Sequence, residues 1–157
     1  MRICLFEPDI PQNTGTILRM AACLGVGVDI IEPCGFLLTS ASLKRAGMDY
    51  LEAANYQRHA DWQAFEQARS RGDLPGRLVL MTTKGAVPYC DFEYRADDIL
   101  MLGAESRGVP DQVHESVDAR VVIPLRPGMR SLNVAMAAAM TVGEAMRQTN
   151  SFPGTPE

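Results

Sequence analysis

The sequence predicts an α/β fold in which a mostly parallel sheet carries helices on both faces. Short apolar segments without polar alternation recur along the chain, as expected for strands that are buried on both faces. Segments with apolar residues at helical spacing separate them, and this strand–helix alternation favours parallel pairing. The chain has 157 residues, which is enough to bury one core without disulfide bonds.

The first strand is predicted at Arg2–Phe6, a short apolar segment. The loop EPDIPQNTG follows it, and apolar residues at helical spacing then predict a helix over Thr16–Leu24. We expect Asn13 or Thr14 to cap this helix and Gly25 to end it.

The middle of the chain predicts two more strands and two more helices. In order, they are a strand at Val28–Ile31, a short helix at Ser40–Ala46, a strand within Leu51–Tyr56 and an amphipathic helix at Asp61–Arg71. The amphipathic helix is predicted because Trp62, Phe65 and Ala68 fall on one face.

The last part of the chain predicts three strands and a long helix. The strands are short apolar runs at Arg77–Met81, Ile99–Leu102 and Arg120–Ile123. The helix at Ser131–Gln148 is apolar on nearly every side, which indicates burial either in the centre of the fold or in a dimer interface. Its small residues would let another helix approach closely; they are Ala135, Ala137, Ala138 and Ala139.

The chain is interpreted as one domain over residues 1–149 with a frayed tail over residues 150–157. We identify no leader peptide, and no apolar stretch approaches the roughly 20 residues that a membrane span needs. The four cysteines are scattered and predict reduced thiols in a cytoplasmic protein. The two histidines, His59 and His114, form no zinc pattern and are interpreted as structural, so we expect no metal site.

The formal net charge of −4 does not favour a nucleic-acid partner, because affinity for a phosphate backbone comes from basic surface. A local cluster can still override the sum. Such local groups are Lys44 with Arg45, Arg58, and Arg126 with Arg130. They are compatible either with a solvated surface or with an RNA contact.

Three loops that carry glycine are candidate ligand sites, because the carboxyl ends of parallel strands meet at one edge of a sheet. The first loop runs from Pro11 to Gly15, the second from Leu102 to Pro110 and the third from Ile123 to Asn133. The second loop contains neither GxxxxGK(S/T) nor GxGxxG, which argues against a triphosphate site. Its two glycines still permit close backbone approach to a flat ligand.

These loops resemble the three sequence motifs of the SPOUT-type RNA methyltransferases. The matching segments are Asn13-Thr14-Gly15 with Arg19, Leu102 to Gly108, and Ile123-Pro124 leading to Ser131-Leu132-Asn133. The segments FEPDIPQNTG, IIEPCGF, LKRAGMDY and TTKG are similar to the minimal tRNA (cytidine/uridine-2′-O-)methyltransferases of the anticodon wobble nucleotide. The resemblance runs from Arg2 to Gln148.

The resemblance implies a carboxyl-terminal trefoil knot, S-adenosylmethionine as methyl donor with S-adenosylhomocysteine as product, and a homodimer that packs the first and last helices. The implied cofactor contacts are Met81, Thr83, Gly103, Glu105, Ile123, Leu125, Ser131 and Leu132. The implied tRNA surface consists of Lys44, Arg45, Arg58, Arg126 and Arg130. Glu105 and Arg107 are expected to pair within the second loop.

The implied reaction is methyl transfer to a ribose 2′-hydroxyl. Arg19 would act as the base or, because arginine is normally protonated, would orient the hydroxyl and the adjacent phosphate. Asn13 and Asn133 would position the backbone and the ribose. It stays open whether Arg19 serves its own subunit or the partner. Two other functions also stay open: methylation of another RNA such as ribosomal RNA, and non-catalytic binding of an adenosine ligand.

Overall fold

A computed structural model of the protein describes residues 1–39, 41, 54–85 and 87–154. The strands are β1 (Arg2–Phe6), β2 (Gly27–Ile31), β3 (Tyr56–His59), β4 (Leu78–Met81), β5 (Val87–Pro88), β6 (Ile99–Leu102) and β7 (Ala119–Val122). The helices are α1 (Pro11–Leu24), α2 (Trp62–Ser70), α3 (Asp111–Ser116) and α4 (Val134–Thr149).

The predicted fold class is confirmed, because the seven strands form one sheet in the order β3-β2-β1-β6-β4-β7-β5 and every pairing is parallel. Successive side chains of a strand point to opposite faces of the sheet. In β1, Ile3 and Leu5 therefore pack with α1 and α4, whereas Cys4 and Phe6 pack with Phe65 of α2. Both faces are covered, as the uninterrupted apolar strands predict.

The order of the strands around β4 differs from their order in the chain. After β4 the chain runs to β5 at the edge of the sheet, returns to β6 on the other side of β4, and then places β7 between β4 and β5. The connections that follow β4, β6 and β7 consequently meet at one sheet edge. Such reversals of strand order are where open α/β sheets bind ligands.

Helix α1 begins earlier than predicted. Its first residue is Pro11, so the segment from Pro11 to Gly15 is the first turn of the helix and not a loop. Proline suits this position because it has no N–H to leave unpaired and its φ is already helical. Asn13 and Thr14 are buried inside the helix and cap nothing, so that expectation is wrong. The predicted stop is confirmed, since Gly25 has φ 69° and donates its N–H to the carbonyls of Ala21 and Ala22.

Strand β3 lies further along the chain than predicted. It covers Tyr56–His59, with a polar sequence that does not read as a strand. Of its side chains, His59 is the buried one, and its Nε2 lies 2.8 Å from Oδ1 of the buried Asp29 in β2. This contact supports the structural interpretation of His59. Residues 51–53 of the predicted strand lie outside the described residues, as does the predicted helix from Ser40 to Ala46 apart from Ala41.

The sequence interpretation missed the shortest strand, β5, and the shortest helix, α3. Strand β5 has two residues and α3 has six, too few to show a hydrophobic period. The amphipathic helix α2 is confirmed, with Asp61 as its N-cap: the Asp61 carboxylate accepts a hydrogen bond of 2.7 Å from the Ala64 N–H.

Helix α4 has one buried and one exposed face. Ala138, Val142 and Ala145 are fully buried in the core that includes α1, whereas Met136 is 59% exposed. The close helix approach expected of Ala138 is thus an approach within the same chain. The other face is exposed and also apolar, with Met136 and Met140. None of the described helices is both long and apolar enough to cross a membrane.

Candidate active site

A cavity of about 590 Å³ lies at the carboxyl ends of β4, β6 and β7. The three strands are neighbours in the sheet, with β4 in the middle, so the loops that follow them face a common space. Its floor is apolar and includes Leu80, Leu102 and Val121. Its walls are the three loops and the first turn of α1, which supply polar side chains. An apolar floor with a few polar groups is typical of small-molecule sites.

The loop after β6 folds back on itself. Ala104 and Gly108 exchange two backbone hydrogen bonds, of 3.0 and 2.8 Å, and Gly108 has φ 70°. A Cβ atom at Gly103 would lie 2.6 Å from the Gly108 carbonyl carbon, so no other residue fits there without a shift of the backbone. The glycines therefore let the main chain itself form the cavity wall.

Asp9 and Glu105 clamp the loop after β1 to the loop after β6. The Asp9 N–H donates to Oε2 of Glu105 at 2.9 Å, and the Glu105 N–H donates to Oδ1 of Asp9 at 3.2 Å. Ser106 adds its N–H and its hydroxyl to the other Asp9 oxygen. Gly35 closes the back of the clamp, because a Cβ there would lie 2.6 Å from the Asp9 Cβ.

A chain of hydrogen bonds leads from this clamp to α4. Asn13 donates its Nδ2 to Oε1 of Glu105 at 3.1 Å and accepts the Nδ2 of Asn133 at 2.9 Å. The Oδ1 of Asn133 accepts the N–H groups of Ala135 and Met136 at the start of α4. Three loops and two helices are thus joined through side chains that line or border the cavity.

The pKa values of the two carboxyl groups of the clamp are shifted from their ordinary values in opposite directions. The side-chain hydrogen bond with Glu105, together with bonds from Ser106, lowers the pKa of Asp9 to about 2. Burial, and then the neighbouring Asp9 carboxyl, raise the pKa of Glu105 above its usual value. Asp9 therefore stays ionised to a lower pH than Glu105 does.

The predicted cofactor residues come together. Every one of them lines the cavity: Met81, Thr83, Gly103, Glu105, Ile123, Leu125, Ser131 and Leu132. Asn13 and Asn133 line it as well. Their contact with a cofactor stays a prediction, but their convergence from four separate segments does not depend on the resemblance.

Arg19 stands apart from this group. It is exposed and does not line the cavity. It lies six positions after Asn13, which corresponds to about 9 Å along α1 and a turn of about 240° around its axis. The two side chains therefore leave the helix on different sides.

The predicted RNA-binding residues are dispersed. Arg130 lines the cavity and Arg126 is exposed beyond it. Arg58 is held by Glu32, with its Nη2 2.6 Å from Oε1. Lys44 and Arg45 lie outside the described residues.

One predicted pair is wrong. Glu105 bonds to Asp9 and Asn13, whereas Arg107 forms its ion pair with Glu7 in the loop after β1. Sequence reasoning also missed Asp9 and Glu7, whose partners lie 96 and 100 residues away. Their place directly after the first strand was the available signal, since a ligand edge collects such residues.

The comparisons with known proteins agree with this site. Residues 1–143 match the SpoU rRNA Methylase family, which is most of the chain. The chain belongs to the SpoU methylase family. A relative from Beijerinckia indica named tRNA (cytidine(34)-2′-O)-methyltransferase is 56% identical over 150 residues, covering 96% of this chain and 92% of the relative.

Solved structures concerned with RNA methylation show the same fold. One, concerned with 2-OH methylation of C/U34 on tRNA, has a TM-score of 0.86 at 38% identity and covers 94% of each chain. An AdoMet-bound rRNA methyltransferase from Sinorhizobium meliloti has a TM-score of 0.83 at 26% identity. It covers 93% of this chain and 55% of its own, so that protein is much longer. A SpoU methyltransferase from Streptomyces viridochromogenes, in complex with the cofactor AdoMet, has a TM-score of 0.80 at 26% identity, so S-adenosylmethionine is the cofactor of this family.

Proposed function

We propose that this SpoU methylase transfers a methyl group from S-adenosylmethionine to the ribose 2′-hydroxyl of the wobble nucleotide, a cytidine or modified uridine, in the tRNA anticodon loop. The observation that carries the proposal is the convergence of all predicted cofactor residues and both asparagines on one cavity. The relatives that match nearly the whole length of the chain favour tRNA as the substrate.

The residues present suit the cofactor. A cavity of about 590 Å³ lies within the range of roughly 300–1,000 Å³ that is typical of small-molecule sites. Leu80, Leu102 and Val121 offer an apolar floor to an adenine ring, and Gly103 gives close access to the main chain. When bound, S-adenosylmethionine supplies a methyl group that is already activated by its sulfonium. Among the described residues no cluster suited to a metal ion occurs.

Asn13 and Asn133 would orient the substrate ribose. Their amides are fixed by each other, by Glu105 and by the first turn of α4. Because neither amide can turn without breaking these bonds, each presents a set of hydrogen-bonding atoms in one direction. Such fixed groups hold reacting atoms in place and thereby lower the entropic part of a barrier.

Arg19 would serve the cavity of the partner subunit. Its position on α1, away from the cavity of its own chain, supports this choice between the two alternatives. There it would orient the 2′-hydroxyl and an adjacent phosphate by charge-assisted hydrogen bonds.

A homodimer through α1 and α4 is part of the same proposal. The exposed face of α4 carries Met136 and Met140, which are 59% and 36% exposed, and α1 packs beside it. Exposed apolar patches of this kind mark interaction sites. A trefoil knot is also proposed, since β7 enters the sheet between two strands that precede it in the chain. The cytoplasmic location is supported by the four cysteines, which form no disulfide.

The test is mass spectrometry of wobble nucleosides in tRNA from cells that lack this protein. We expect 2′-O-methylation at the wobble position to disappear and to return with the wild-type gene but not with Asn133→Ala. Ribosomal RNA from the same cells is the second arm. Loss of a ribosomal methyl group with unchanged wobble methylation would contradict the proposal and favour the alternative RNA substrate.

A further inference from the structure

The mouth of the cavity carries three cationic side chains, one from each loop that follows a central strand. Lys84 follows β4, Arg107 follows β6 and Arg130 follows β7, and all three are exposed while lining the cavity. The carboxylates of the lining are Glu105 and Asp111, and Glu105 is already committed to Asp9 and Asn13. A chain with a net charge of −4 thus gathers positive charge at this opening.

Among the described residues, two of these cations have no carboxylate partner. In the described part of the chain, neither Lys84 nor Arg130 forms an ion pair. They come from separate loops, and nothing in their local sequence requires a charge to face the cavity. If Lys84 and Arg130 were only solvated surface residues, nothing would require both to lie at the mouth of the same cavity.

Arg107 differs because Glu7 holds it. One guanidinium nitrogen bonds to the Glu7 carboxylate, while 56% of the Arg107 side chain stays exposed. Glu7 itself has φ 44°, a left-handed conformation that is unfavourable for a residue with a side chain. Its N–H bonds to the Ile31 carbonyl at 2.9 Å, which fixes the turn and places the carboxylate beside Arg107.

We propose that Lys84, Arg107 and Arg130 form a rim that binds phosphates of the tRNA strand carrying the target nucleotide, and that Arg107 exchanges Glu7 for a phosphate when the tRNA binds. The inference rests on the proposed function and assigns its RNA contacts to Lys84 and Arg107. An exposed ion pair is weak, and a guanidinium keeps further N–H donors for a second anion. A phosphate offers it the same two-pronged geometry as a carboxylate and carries the charge that the rim as a whole attracts.

Two anions could occupy this rim. One is the phosphate backbone of the tRNA, and the other is the carboxylate on the amino-acid end of the methyl donor. S-adenosylhomocysteine carries that carboxylate and no phosphate. Its affinity in the absence of RNA therefore separates the two sources.

The experiment measures binding of a transcribed tRNA with cytidine at the wobble position as a function of salt. For Arg107→Gln and for Lys84→Gln we expect weaker binding, and the slope of log affinity against log salt should fall by about 0.7 for each lost phosphate contact. Affinity for S-adenosylhomocysteine should stay at the wild-type value in both variants. Lower affinity for S-adenosylhomocysteine with an unchanged salt slope would overturn the proposal and assign the rim to the cofactor carboxylate.

Glu7→Gln is the more discriminating variant, because it should increase the affinity for tRNA. Freed from its carboxylate, Arg107 should bind tRNA about fivefold more tightly, the upper range for loss of an exposed ion pair, with an unchanged salt slope. The gain should vanish in the double variant Glu7→Gln/Arg107→Gln. If Glu7→Gln still increases tRNA affinity when Arg107 is absent, the gain comes from the change in net charge. The proposed exchange of Glu7 for a phosphate would then be wrong.

Asp73→Asn is the matched control. Asp73 also pairs with an exposed arginine, Arg71, at 3.0 Å, and its loss changes the net charge by the same single unit. The pair lies before β4, at the opposite edge of the sheet, so tRNA affinity should not change. An equal gain in Asp73→Asn would count against a specific rim. If the wild-type protein binds and methylates tRNA but all variants behave alike, this inference is wrong and the proposed function stands. If the wild-type protein has no activity on tRNA, the proposed function itself is wrong.

Discussion

Asn133 acts through both ends of its side-chain amide. The oxygen caps α4 by accepting two backbone N–H groups, and the nitrogen donates to Asn13 in α1. A residue that serves as a helix cap in the sequence is thus also the link between two walls of the cavity. The two roles can be separated by substitution.

Asn133→Ser should separate them. Asn133→Ser and Asn133→Ala both lose the hydrogen bond to Asn13, but serine is as good an N-cap as asparagine, so Asn133→Ser should be more stable than Asn133→Ala by about 1 kcal/mol. Both variants lose the donor to Asn13 and should lose most of their single-turnover methyl transfer. Urea unfolding and a single-turnover assay on the same preparations test this. If Asn133→Ser is active and Asn133→Ala is inactive, activity depends on the helix cap. That result would contradict a role for the amide nitrogen.

Asp9 makes the clamp sensitive to acid. Its pKa in the folded chain is about 2, below its ordinary value of 3.8, so the ionised carboxylate stabilises the fold at neutral pH and this stability is lost as the pH falls towards 2. Asp9→Asn should therefore be less stable than wild type near neutral pH, by about 1 kcal/mol at most because solvent screens this carboxylate, and the difference should shrink below about pH 4. Denaturant unfolding across this pH range measures it. A difference that does not depend on pH would show that the hydrogen bonds matter and the charge does not.

Residues of the site were predictable where the functional residue and the strand that positions it lie in the same short segment of sequence. Gly103, Ser131 and Asn133 follow strands that the sequence shows plainly, and the structure places them on the cavity. The partner of Arg107 could not be predicted, because Glu7 is 100 residues away and two neighbouring carboxylates, Glu7 and Glu105, compete for it. Sequence spacing does not say which of two loops a side chain will reach.

At the scale of elements, α4 is a helix with two apolar faces, one buried in the core and the other exposed. Its buried face meets α1 through fully buried Ala138, and its exposed face presents Met136 and Met140. Composition alone could not divide the two faces, since both are apolar. The rotation of the helix is set by the cap at Asn133 and by packing against the sheet.

A charge on each face of α4 should have different effects. Met136→Glu should leave the fold intact and convert the proposed dimer to monomer, because the proposed contact lies on the exposed side of the helix. Ala138→Glu should unfold the chain, since it places an unpaired charge in the core at a cost of several kcal/mol. Phe152→Glu is the control, as Phe152 is 52% exposed but lies beyond α4. Gel filtration and circular dichroism distinguish the outcomes, and a dimeric Met136→Glu would refute the interface.

Elements with a clear apolar pattern were predicted to within three residues, as for α2 and α4, and the bounds of β6 were predicted without error. The start of α1 was not, because Pro11 and the polar residues after it read as a loop until tertiary contacts bury Asn13 and Thr14. Strand β3 is polar at three of its four positions and is held mainly by backbone pairing with β2. Local sequence cannot reveal an element whose stabilisation comes from its neighbours.

At the scale of the whole molecule, the proposed site needs two chains. The cavity is complete within one chain, but Arg19 leaves α1 on another side. A dimer through α1 and α4 would bring the Arg19 of one subunit towards the cavity of the other. Activity would then depend on assembly as well as on folding.

Mixed dimers test this arrangement. Arg19→Ala and Asn133→Ala should each be inactive alone, the first lacking the arginine and the second a working cavity. After the two are unfolded together and refolded, about a quarter of wild-type turnover should return, because half of the dimers are mixed and each has one competent site. Arg19→Ala by itself should fold and bind S-adenosylhomocysteine normally. If mixing restores nothing, Arg19 acts within its own subunit.

The hydrogen bond between Asn13 and Asn133 spans 120 residues of sequence. On the ribosome, α1 emerges early, and the opposite wall of the cavity exists only after residue 133 has been synthesised and released from the exit path. A nascent chain therefore carries most of the sheet yet has no closed pocket for a methyl donor. Translation itself thus delays the appearance of methyl-transfer capacity, and premature termination before this point yields a protein that cannot sequester the donor.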